Sequence, residues 1–480
     1  MTSESASATP PTSREALAEK ALFLFLVLGM PLGLAGASKT FDDGDVSWHV
    51  ASGQWILAHR AVPVVDPFSF TAAGQPWVAM EWLADVLYAA AFNLAGYAGL
   101  AALVAAALMA LHAILFVHLQ RCIGPLALVA VFIGLDFVLG PFILARPHVL
   151  VWPLLAAWTV LLLRAAEAGR APPLWGALIM LAWTNMHGSF VLAIPIGAGI
   201  ALDGLRAVHW ATLRQWAVFA LVSGLAMLLN ANGVAGLLQP LRVMGMGTLP
   251  LIQEWQPSSP GWTPQFYIVL LLGLAAMLWR GVRVPAGQRG MLWRGVRVPA
   301  GRMVLVLVLL AMAFSQIRHQ AWFIIVAAAV LPPLLGGKSV AKSGFALLGL
   351  AAIPFLALRL ALPITPIENA ANPRHLIAAV PPELRSQPVL NGYTFGGPLI
   401  LAGIRPYIDG RADMYGDAFF TDYNQITQGD IARFNRAVDR YDIRWTMLPP
   451  GNAALIKALD ASPRWRRLYA DRIGIIHVRK

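Results

Sequence analysis

Long apolar stretches alternate with short polar connections along the first three-quarters of the chain and end near residue 363. Most of them approach the length of about 20 residues that an α-helix needs to cross a bilayer. The pattern therefore predicts a polytopic membrane domain over residues 21–363, with about 11–13 transmembrane helices. The predicted spans are 21–37, 98–120, 125–145, 148–164, 172–186, 188–205, 213–230, 264–280, 303–317, 320–336 and 343–363.

The more polar segment after the first span predicts a large first external loop over residues 38–97. It ends in one further apolar run, 82–95, which we interpret as an amphipathic helix lying in the outer membrane interface. With this assignment the eleven spans alternate in direction, and the first helix runs outward. A twelfth span at 82–95 is the alternative, and it would invert the inner assignments.

Two flanking segments differ from the membrane domain in composition. Residues 1–20 are rich in Ser, Thr, Pro and Glu, which predicts a disordered cytoplasmic tail. Residues 364–480 have the composition of a soluble domain, with predicted strands at 444–448 and 474–478 and a helix at 452–459. We therefore expect an α-helical membrane protein with a small C-terminal α/β domain on its outer face.

Composition and charge narrow the class of protein. Apolar residues make up 58% of the chain and charged residues only 12%, whereas a soluble domain carries about 25% charge. The net charge is +12, which on a soluble protein would suggest a nucleic-acid partner; here it marks cytoplasmic loops. The single cysteine, Cys122, excludes an internal disulfide and a cysteine-based zinc site.

The positive charge is concentrated in one loop, which is predicted to be cytoplasmic because arginine and lysine accumulate on that side. This loop repeats the sequence MLWRGVRVPAG at 277–287 and 291–301, which we interpret as a tandem duplication tolerated by a flexible loop. Lys338 and Lys342 mark the next inner loop. The loop contains six arginines: Arg280, Arg283, Arg289, Arg294, Arg297 and Arg302.

Three carboxylates follow the first span directly: Asp42, Asp43 and Asp45. Carboxylates crowded at a membrane surface repel one another, so one of them is expected to serve as a base, or the group to share a cation. A solvated loop at a helix end is the alternative. The topology also predicts a basic, histidine-lined cavity beside this cluster, because it places several polar residues on the same outer side: Arg146, His148, Asn185, His187, Glu254, Arg318 and His319.

These features resemble the GT-C glycosyltransferases, polytopic enzymes that use sugars linked to a lipid phosphate. The likeness is to bacterial relatives of the protein O-mannosyltransferases and of the lipid A aminoarabinose transferase. It rests on an almost continuous match over 43–83 and on motifs in other predicted external loops. The matching motifs are Asp43-Gly44-Asp45, Trp48-His49, Gly53, Asp66-Pro67-Phe68-Ser69, Glu81-Trp82-Leu83, Arg146-Pro147-His148, Trp183-Thr184-Asn185-Met186-His187-Gly188 and Asp409-Gly410-Arg411-Ala412-Asp413-Met414-Tyr415-Gly416.

The resemblance implies sugar transfer from a polyprenyl-phosphate donor to a lipid, glycan or protein acceptor, with inversion at the anomeric carbon. Asp43 is the first choice for the general base, followed by Asp45 and Asp42. Candidates for holding the departing phosphate are Arg146, His148, His187, Arg318 and His319. Glu81 would orient the acceptor or hold a cation. His49, Asp66, Asn185 and Arg411 complete the predicted substrate-binding set.

Several alternatives remain open at this level. The 409–413 segment either closes over the site or binds the acceptor, or it forms a salt bridge inside its own domain. Asp136 lies within a span, as a helix-packing or a site residue. No cofactor is certain; Asp and His ligands for a divalent metal are available, but no spacing demands one. The bilayer is an expected partner and nucleic acid is not.

The predicted location is the bacterial inner membrane, with the amino terminus in the cytoplasm and the C-terminal domain in the periplasm. A transporter or flippase for a lipid-linked sugar would require related halves and mid-membrane charges, of which only Asp136 is clear. An O-antigen ligase or polymerase would place its main loop late in the chain. A non-catalytic scaffold is the third alternative.

Overall fold

A computed structural model describes residues 20–204, 210–282, 299–335 and 363–480. Several predictions fall outside these ranges: the tail at 1–19, the last predicted span at 343–363 apart from its final residue, and Lys338 and Lys342. Most of the arginine loop and of its repeat also lies outside them.

Helices make up the described part of the membrane domain. They are α1 (Lys20–Ala35), α2 (Asp45–His59), α3 (Trp82–Leu119), α4 (Pro125–Leu139), α5 (Pro147–Glu167), α6 (Ala177–Thr184), α7 (Ala193–Gly204), α8 (Trp210–Leu228), α9 (Gly233–Met244), α10 (Pro264–Val282), α11 (Ala300–Ser315), α12 (His319–Val330) and α13 (Pro332–Leu335). Short 3-10 turns are Ser38–Phe41, Gly140–Phe142, Leu174–Gly176, Gly188–Leu192, Leu249–Leu251 and Gln253–Trp255.

Each predicted apolar run inside the described ranges coincides with one of these helices. In the part of the chain that the structure describes, four helices are long and apolar enough to cross a membrane: Trp82–Leu119, Pro125–Phe142, Pro147–Glu167 and Trp210–Leu228. Helices α4 and α5 begin with a proline, whose fixed φ suits the first helical position and whose missing N–H needs no partner there.

Helix α3 is two helices joined by a sharp break. Ala95 and Gly96 leave the helical conformation, with φ of −149° and 56°, and only glycine adopts the second value without strain. A Cβ atom on Gly99 would overlap the carbonyl oxygen of Ala91, so the two parts pass close to each other. The break falls where the sequence separated the run 82–95 from the span 98–120.

Helix α9 was not predicted. The sequence leaves 231–263 without an element, whereas the structure forms a helix from Gly233 to Met244 and two 3-10 turns after it. Its apolar residues occupy one stripe of the helix rather than a continuous run, so a search for membrane spans passes over it.

The C-terminal region forms a four-stranded mixed sheet in the order β1-β2-β4-β3, with β1 parallel to β2 and the other pairs antiparallel. The predicted strands and the helix near 452–459 are confirmed, and two strands were missed. The elements are α14 (Arg374–Ala378), α15 (Pro382–Arg385), β1 (Val389–Asn391), α16 (Gly396–Leu401), α17 (Ala412–Thr427), α18 (Ile431–Tyr441), β2 (Trp445–Leu448), α19 (Ala453–Ala461), β3 (Trp465–Ala470) and β4 (Ile475–Arg479).

This domain is packed directly against the first loop. Helix α16 contacts α2, and a Cβ atom on Gly397 would overlap the carbonyl oxygen of Gly44. The hydroxyl of Thr71 donates to the carbonyl of Tyr407 at 2.6 Å, and the amide of Asn372 donates to the carbonyl of Phe41 at 2.7 Å. The C-terminal domain therefore forms one wall of the space that the first loop encloses.

Asp136 has a partner in the helical core. His112 Nε2 lies 2.9 Å from its Oδ1, and His112 Nδ1 lies 2.6 Å from the carbonyl oxygen of Leu26. The pair joins α1, α3 and α4, which accounts for a charged residue inside an apolar helix.

Candidate active site

A cavity of about 660 Å³ lies between the first loop, the ends of the long helices and the C-terminal domain. The first-loop aspartates meet residues from distant segments there. Nine of the predicted site residues line it: Asp42, Asp43, Asp45, Glu81, Arg146, His187, Arg318, His319 and Arg411. Four others lie behind its wall or away from it: His49, Asp66, His148 and Asn185.

The three aspartates occupy different environments at the start of α2. Asp43 Oδ1 accepts a hydrogen bond from the backbone N–H of Asp45 at 2.8 Å, which fixes the turn into the helix. Asp42 is exposed and accepts a hydrogen bond from the amide of Asn369. Asp45 faces Gly410, where a Cβ atom would collide with its carboxylate. Asp43 and Asp45 therefore belong to the cavity more closely than Asp42 does.

Arg146 joins the carboxylates into one cluster. Its Nη1 lies 3.1 Å from Asp43 Oδ2 and 3.2 Å from Glu254 Oε2, and its Nη2 lies 2.9 Å from Asp45 Oδ2. Arg146 stands immediately before Pro147 at the start of α5, so the helix end aims it at the loop. We call these four residues the Arg146 cluster.

Arg318 extends the cluster on the side of α12. Its Nη1 lies 3.2 Å from Glu254 Oε1, and its guanidinium carbon lies 4.1 Å from the centroid of the Trp255 ring. Glu254 thus bridges two arginines, and cation–π contact with Trp255 holds the second one in place.

Burial and charge give two carboxyl groups of the Arg146 cluster, Asp45 and Glu254, different pKa values. Burial raises the pKa of Asp45 to about 7, with Asp43 and Glu254 adding to the rise and Arg146 opposing it. Burial also disfavours the charge on Glu254, but Arg146 and Arg318 outweigh it and lower its pKa to about 2. Asp45 is therefore the group that changes protonation near neutral pH, while Glu254 stays ionised.

Glu81 forms a second acidic position, at the start of α3. Its Oε1 lies 3.5 Å from His187 Nε2 and its Oε2 lies 3.8 Å from His49 Nε2. Burial, together with the nearby Asp85, raises the pKa of Glu81 to about 8. Glu81 is therefore mainly protonated at neutral pH.

The predicted basic character of the cavity rests on its arginines and not on its histidines. Burial lowers the pKa of His49 and of His187 well below the usual range, so both imidazoles are neutral. The lining carries seven carboxyl groups against three guanidinium groups. The carboxyl groups are Asp42, Asp43, Asp45, Glu81, Asp85, Glu254 and Asp413, and the guanidinium groups are Arg146, Arg318 and Arg411.

Asp66 and Arg411 form a sealed ion pair between the first loop and the C-terminal domain. Arg411 Nη1 lies 2.8 Å from Asp66 Oδ1, and its Nη2 lies 2.6 Å from Asp409 Oδ2. The guanidinium also lies against the rings of Trp77 and Phe68. Its side chain is only 1% exposed. Of the two predicted roles for 409–413, the salt bridge is present, and it reaches beyond its own domain.

The remaining predicted residues contact protein groups. His148 Nε2 lies 2.8 Å from the carbonyl of Phe142, and His319 Nδ1 lies 3.2 Å from the carbonyl of Met312. The side chain of Asn185 accepts from Trp82 Nε1 at 2.8 Å and donates to two carbonyls, so it holds α3 against α6. Their assignment to substrate remains a prediction.

Asp85 is the residue that the sequence reading missed. It lies one helical turn after Glu81, fully buried, with its carboxylate 2.7 Å from both His49 Nδ1 and Ser52 Oγ. An acidic residue four positions after a motif glutamate, inside an apolar run, was the available signal, since residues i and i+4 share one face of a helix.

The described part of the chain contains no group of three or more His, Cys, Asp or Glu side chains placed to hold a metal ion. In the Arg146 cluster the guanidinium occupies the space between Asp43, Asp45 and Glu254 that a cation would need. We propose no reaction step that involves a metal.

No family model matches the chain, and no curated protein matches it.

Proposed function

We propose that this chain is a membrane glycosyltransferase of the GT-C type, which transfers a sugar from a polyprenyl-phosphate donor to an acceptor hydroxyl. The observation that carries the proposal is the Arg146 cluster with Arg318. Aspartates of one loop and arginines of two helix ends meet in one cavity, beside helices apolar enough for a membrane. Such transfer needs a base for the acceptor and positive groups for the phosphate.

In the proposed reaction a carboxylate takes the proton of the acceptor hydroxyl while the oxygen of that hydroxyl attacks the anomeric carbon. The bond from that carbon to the phosphate oxygen breaks, and the phosphate leaves with the electron pair. Asp45 suits the role of base better than Asp43, because its pKa of about 7 matches a neutral medium. Asp43 is held by Arg146 and by the turn into α2, and it orients the cluster.

Arg318 is the proposed first contact of the leaving phosphate, with Arg146 behind it. Arg318 reaches Glu254 through Nη1 at the cavity surface, so a phosphate oxygen would compete with that carboxylate. The protonated form of Glu81, and Asp45 once it has taken the proton of the acceptor, reduce the negative charge that the leaving phosphate meets. Apolar residues on the remaining wall offer a surface for the first isoprene units: Val191, Leu192, Val243, Met244, Leu249 and Ile252.

The proposal includes the membrane arrangement. About eleven spans would carry the chain through a bacterial inner membrane, with 82–95 at the outer interface and residues 364–480 in the periplasm. The break at Gly96 supports a separate first part of α3. A phosphatase fused after Pro366 should be active and one fused after Arg289 inactive, and the reverse pattern would refute the arrangement.

The activity is tested by mass spectrometry of the cell envelope in a deletion strain complemented with variants. The envelope of the deletion strain should lack a glycan, and Asp45→Asn should fail to restore it. Asp43→Asn should restore it weakly. Asp42→Asn is the matched control, because Asp42 lies outside the Arg146 cluster, and it should restore the glycan fully. Full restoration by Asp45→Asn would rule the mechanism out.

A further inference from the structure

A row of four polar side chains runs from the interior of the protein to the cavity: Ser52, Asp85, His49 and Glu81. It begins at Ser52 Oγ, which donates to Asp85 Oδ2 at 2.7 Å. Asp85 Oδ1 lies 2.7 Å from His49 Nδ1, and the side chains of Asp85 and His49 are each only 1% exposed. The opposite nitrogen, His49 Nε2, faces Glu81 Oε2 at 3.8 Å.

The position of one proton follows from these contacts. Ser189 donates its backbone N–H to His187 Nδ1 at 3.0 Å, so a neutral His187 carries its proton on Nε2, which faces Glu81 Oε1. Asp85 accepts a hydrogen bond from Ser52 and forms a second one with His49 Nδ1. His49 Nε2 faces Glu81 Oε2 beyond hydrogen-bond distance, so the contact between these two groups is electrostatic.

We propose that Asp85 and His49 are positioning residues that control the proton of Glu81, making Glu81 a second acid–base group of the cavity, separate from Asp43 and Asp45. The role in catalysis rests on the proposed function; the proton coupling itself does not. The arrangement places a buried carboxyl group against one nitrogen of an imidazole, whose other nitrogen faces the group that changes protonation.

The proton balance involves Glu81 and not His49. Burial holds the pKa of His49 well below its usual range, so the imidazole stays neutral while Glu81 exchanges its proton with a bound ligand or with water. Glu81 can therefore donate a hydrogen bond to a sugar or phosphate oxygen in one state and accept one from a hydroxyl in the other.

The groups that face Glu81 come from every element around it. Asp85 raises its pKa from its own helix, and so does Asp413 from α17; Arg146 at α5 and Arg318 at α12 lower it. His49 on α2 and His187 after α6 complete the set. Of these groups, Asp85 is the nearest acidic neighbour along the helix and is connected to Glu81 through His49.

The chain contains a matched pair without this role. Asp136 and His112 are also a buried Asp–His pair, but the second nitrogen of His112 faces the carbonyl of Leu26, so the pair ends in the helical core. Neither residue lines the cavity. Asp136→Asn is therefore the control for a buried carboxylate paired with an imidazole.

The coupling is tested by infrared titration of the purified full-length protein. The carbonyl band of protonated Glu81 is identified by its loss in Glu81→Gln and should disappear around pH 8. Asp85→Asn should lower that midpoint by about one pH unit, because the carboxyl group that raises the pKa of Glu81 is gone. In a His49→Gln background, Asp85→Asn should produce less than about half of that shift. Asp136→Asn should leave the midpoint unchanged.

Two results would overturn the coupling. One is an unchanged midpoint in Asp85→Asn, equal to that of Asp136→Asn. The other is a shift of the same size with and without His49, which would mean that Asp85 acts directly and His49 transmits nothing.

The catalytic role has a separate readout. The deletion strain is complemented with Asp85→Asn or Asp136→Asn and grown at about pH 6 and about pH 8. Asp85→Asn should change the ratio of envelope glycan at the two pH values, and Asp136→Asn should not. If Asp45→Asn abolishes the glycan while Asp85→Asn keeps the wild-type ratio, the role of the row in catalysis is refuted and the proposed function stands. If Asp45→Asn retains the glycan, the proposed function fails, whatever the titration shows.

Discussion

Two arginines in this protein hold carboxylates of the first loop, yet they form opposite kinds of structure. Arg411 pairs with Asp66 and Asp409, with all three side chains at most 1% exposed. Arg146 pairs with Asp43, Asp45 and Glu254, with exposures of 17–33%. The first group is closed to water between two segments of the chain, although Arg411 borders the cavity wall, and the second group is open to the cavity.

The difference shows what separates a structural ion pair from a candidate site. A sealed pair depends on partners within the protein, and Arg411 has three hydrogen bonds to two aspartates and two aromatic rings beside its guanidinium. The Arg146 cluster has an acidic excess and one carboxyl with a pKa of about 7, so it can gain or lose a proton when a ligand enters. The sequence placed both Arg146 and Arg411 in the predicted substrate-binding set.

The largest effect is expected from breaking the sealed pair. Arg411→Met leaves Asp66 and Asp409 buried without a counter-charge, which costs about 3–5 kcal/mol of unfolding free energy. Thermal unfolding of the purified protein, followed by tryptophan fluorescence, measures the loss. A decrease below about 1 kcal/mol would show that water reaches this pair and that it is not sealed.

The next effect concerns the backbone contact that accompanies the sealed pair. Gly397→Ala places a methyl group against the carbonyl of Gly44 and should cost about 1–3 kcal/mol by forcing the C-terminal domain away from α2. Gly451→Ala is the matched control in the same domain, because a Cβ atom there meets nothing within 4 Å. Limited proteolysis should release residues 364–480 faster from the first variant only; equal rates would contradict the close contact.

A smaller effect separates the clusters by pH. The pKa of Asp45 is raised from 3.8 to about 7 in the folded protein, so between these values the folded state binds the proton that the unfolded state has lost. Stability therefore falls as pH rises through this window, by up to about 1.4 kcal/mol per pH unit for one group. Glu81 adds a slope of the same sign up to about pH 8. Asp45→Asn should reduce the slope measured between about pH 5 and about pH 7; an unchanged slope would place the proton elsewhere.

The smallest effect is expected from a conservative change in the open cluster. Arg146→Lys keeps the charge beside three partly exposed carboxylates and should cost less than about 1 kcal/mol. Arg411→Lys should cost more, because an ammonium cannot reproduce the forked contacts to Asp66 and Asp409 in a sealed environment. Equal unfolding temperatures for the two variants would remove the distinction drawn between the clusters.

The helices of the membrane domain were predictable because a bilayer imposes a long apolar run on each helix that crosses it. The sequence located a helix for every predicted run in the described ranges, and Gly96 lies between 82–95 and 98–120 as expected. Helix α9 was missed because its apolar residues are spaced on one face. Strand β1 was missed because its three residues are too few to show a period.

For the site, the sequence identified residues better than roles. It named both arginines and the first-loop aspartates, but it could not tell that Arg411 is enclosed while Arg146 is open. It expected a basic cavity because it counted histidines as positive, and burial makes His49 and His187 neutral. Asp85 escaped notice because only the folded chain brings it to His49.

The sequence by itself determined that the chain is rich in helices suited to a membrane, that its C-terminal region contains strands, and which loops carry the polar chemistry. These properties are local, since they depend on runs of apolar residues and on short motifs. The tertiary structure decided which carboxylate meets which arginine and which of these groups water can reach. Those outcomes depend on contacts between segments that are distant in sequence, and on the burial that sets the charge of each group.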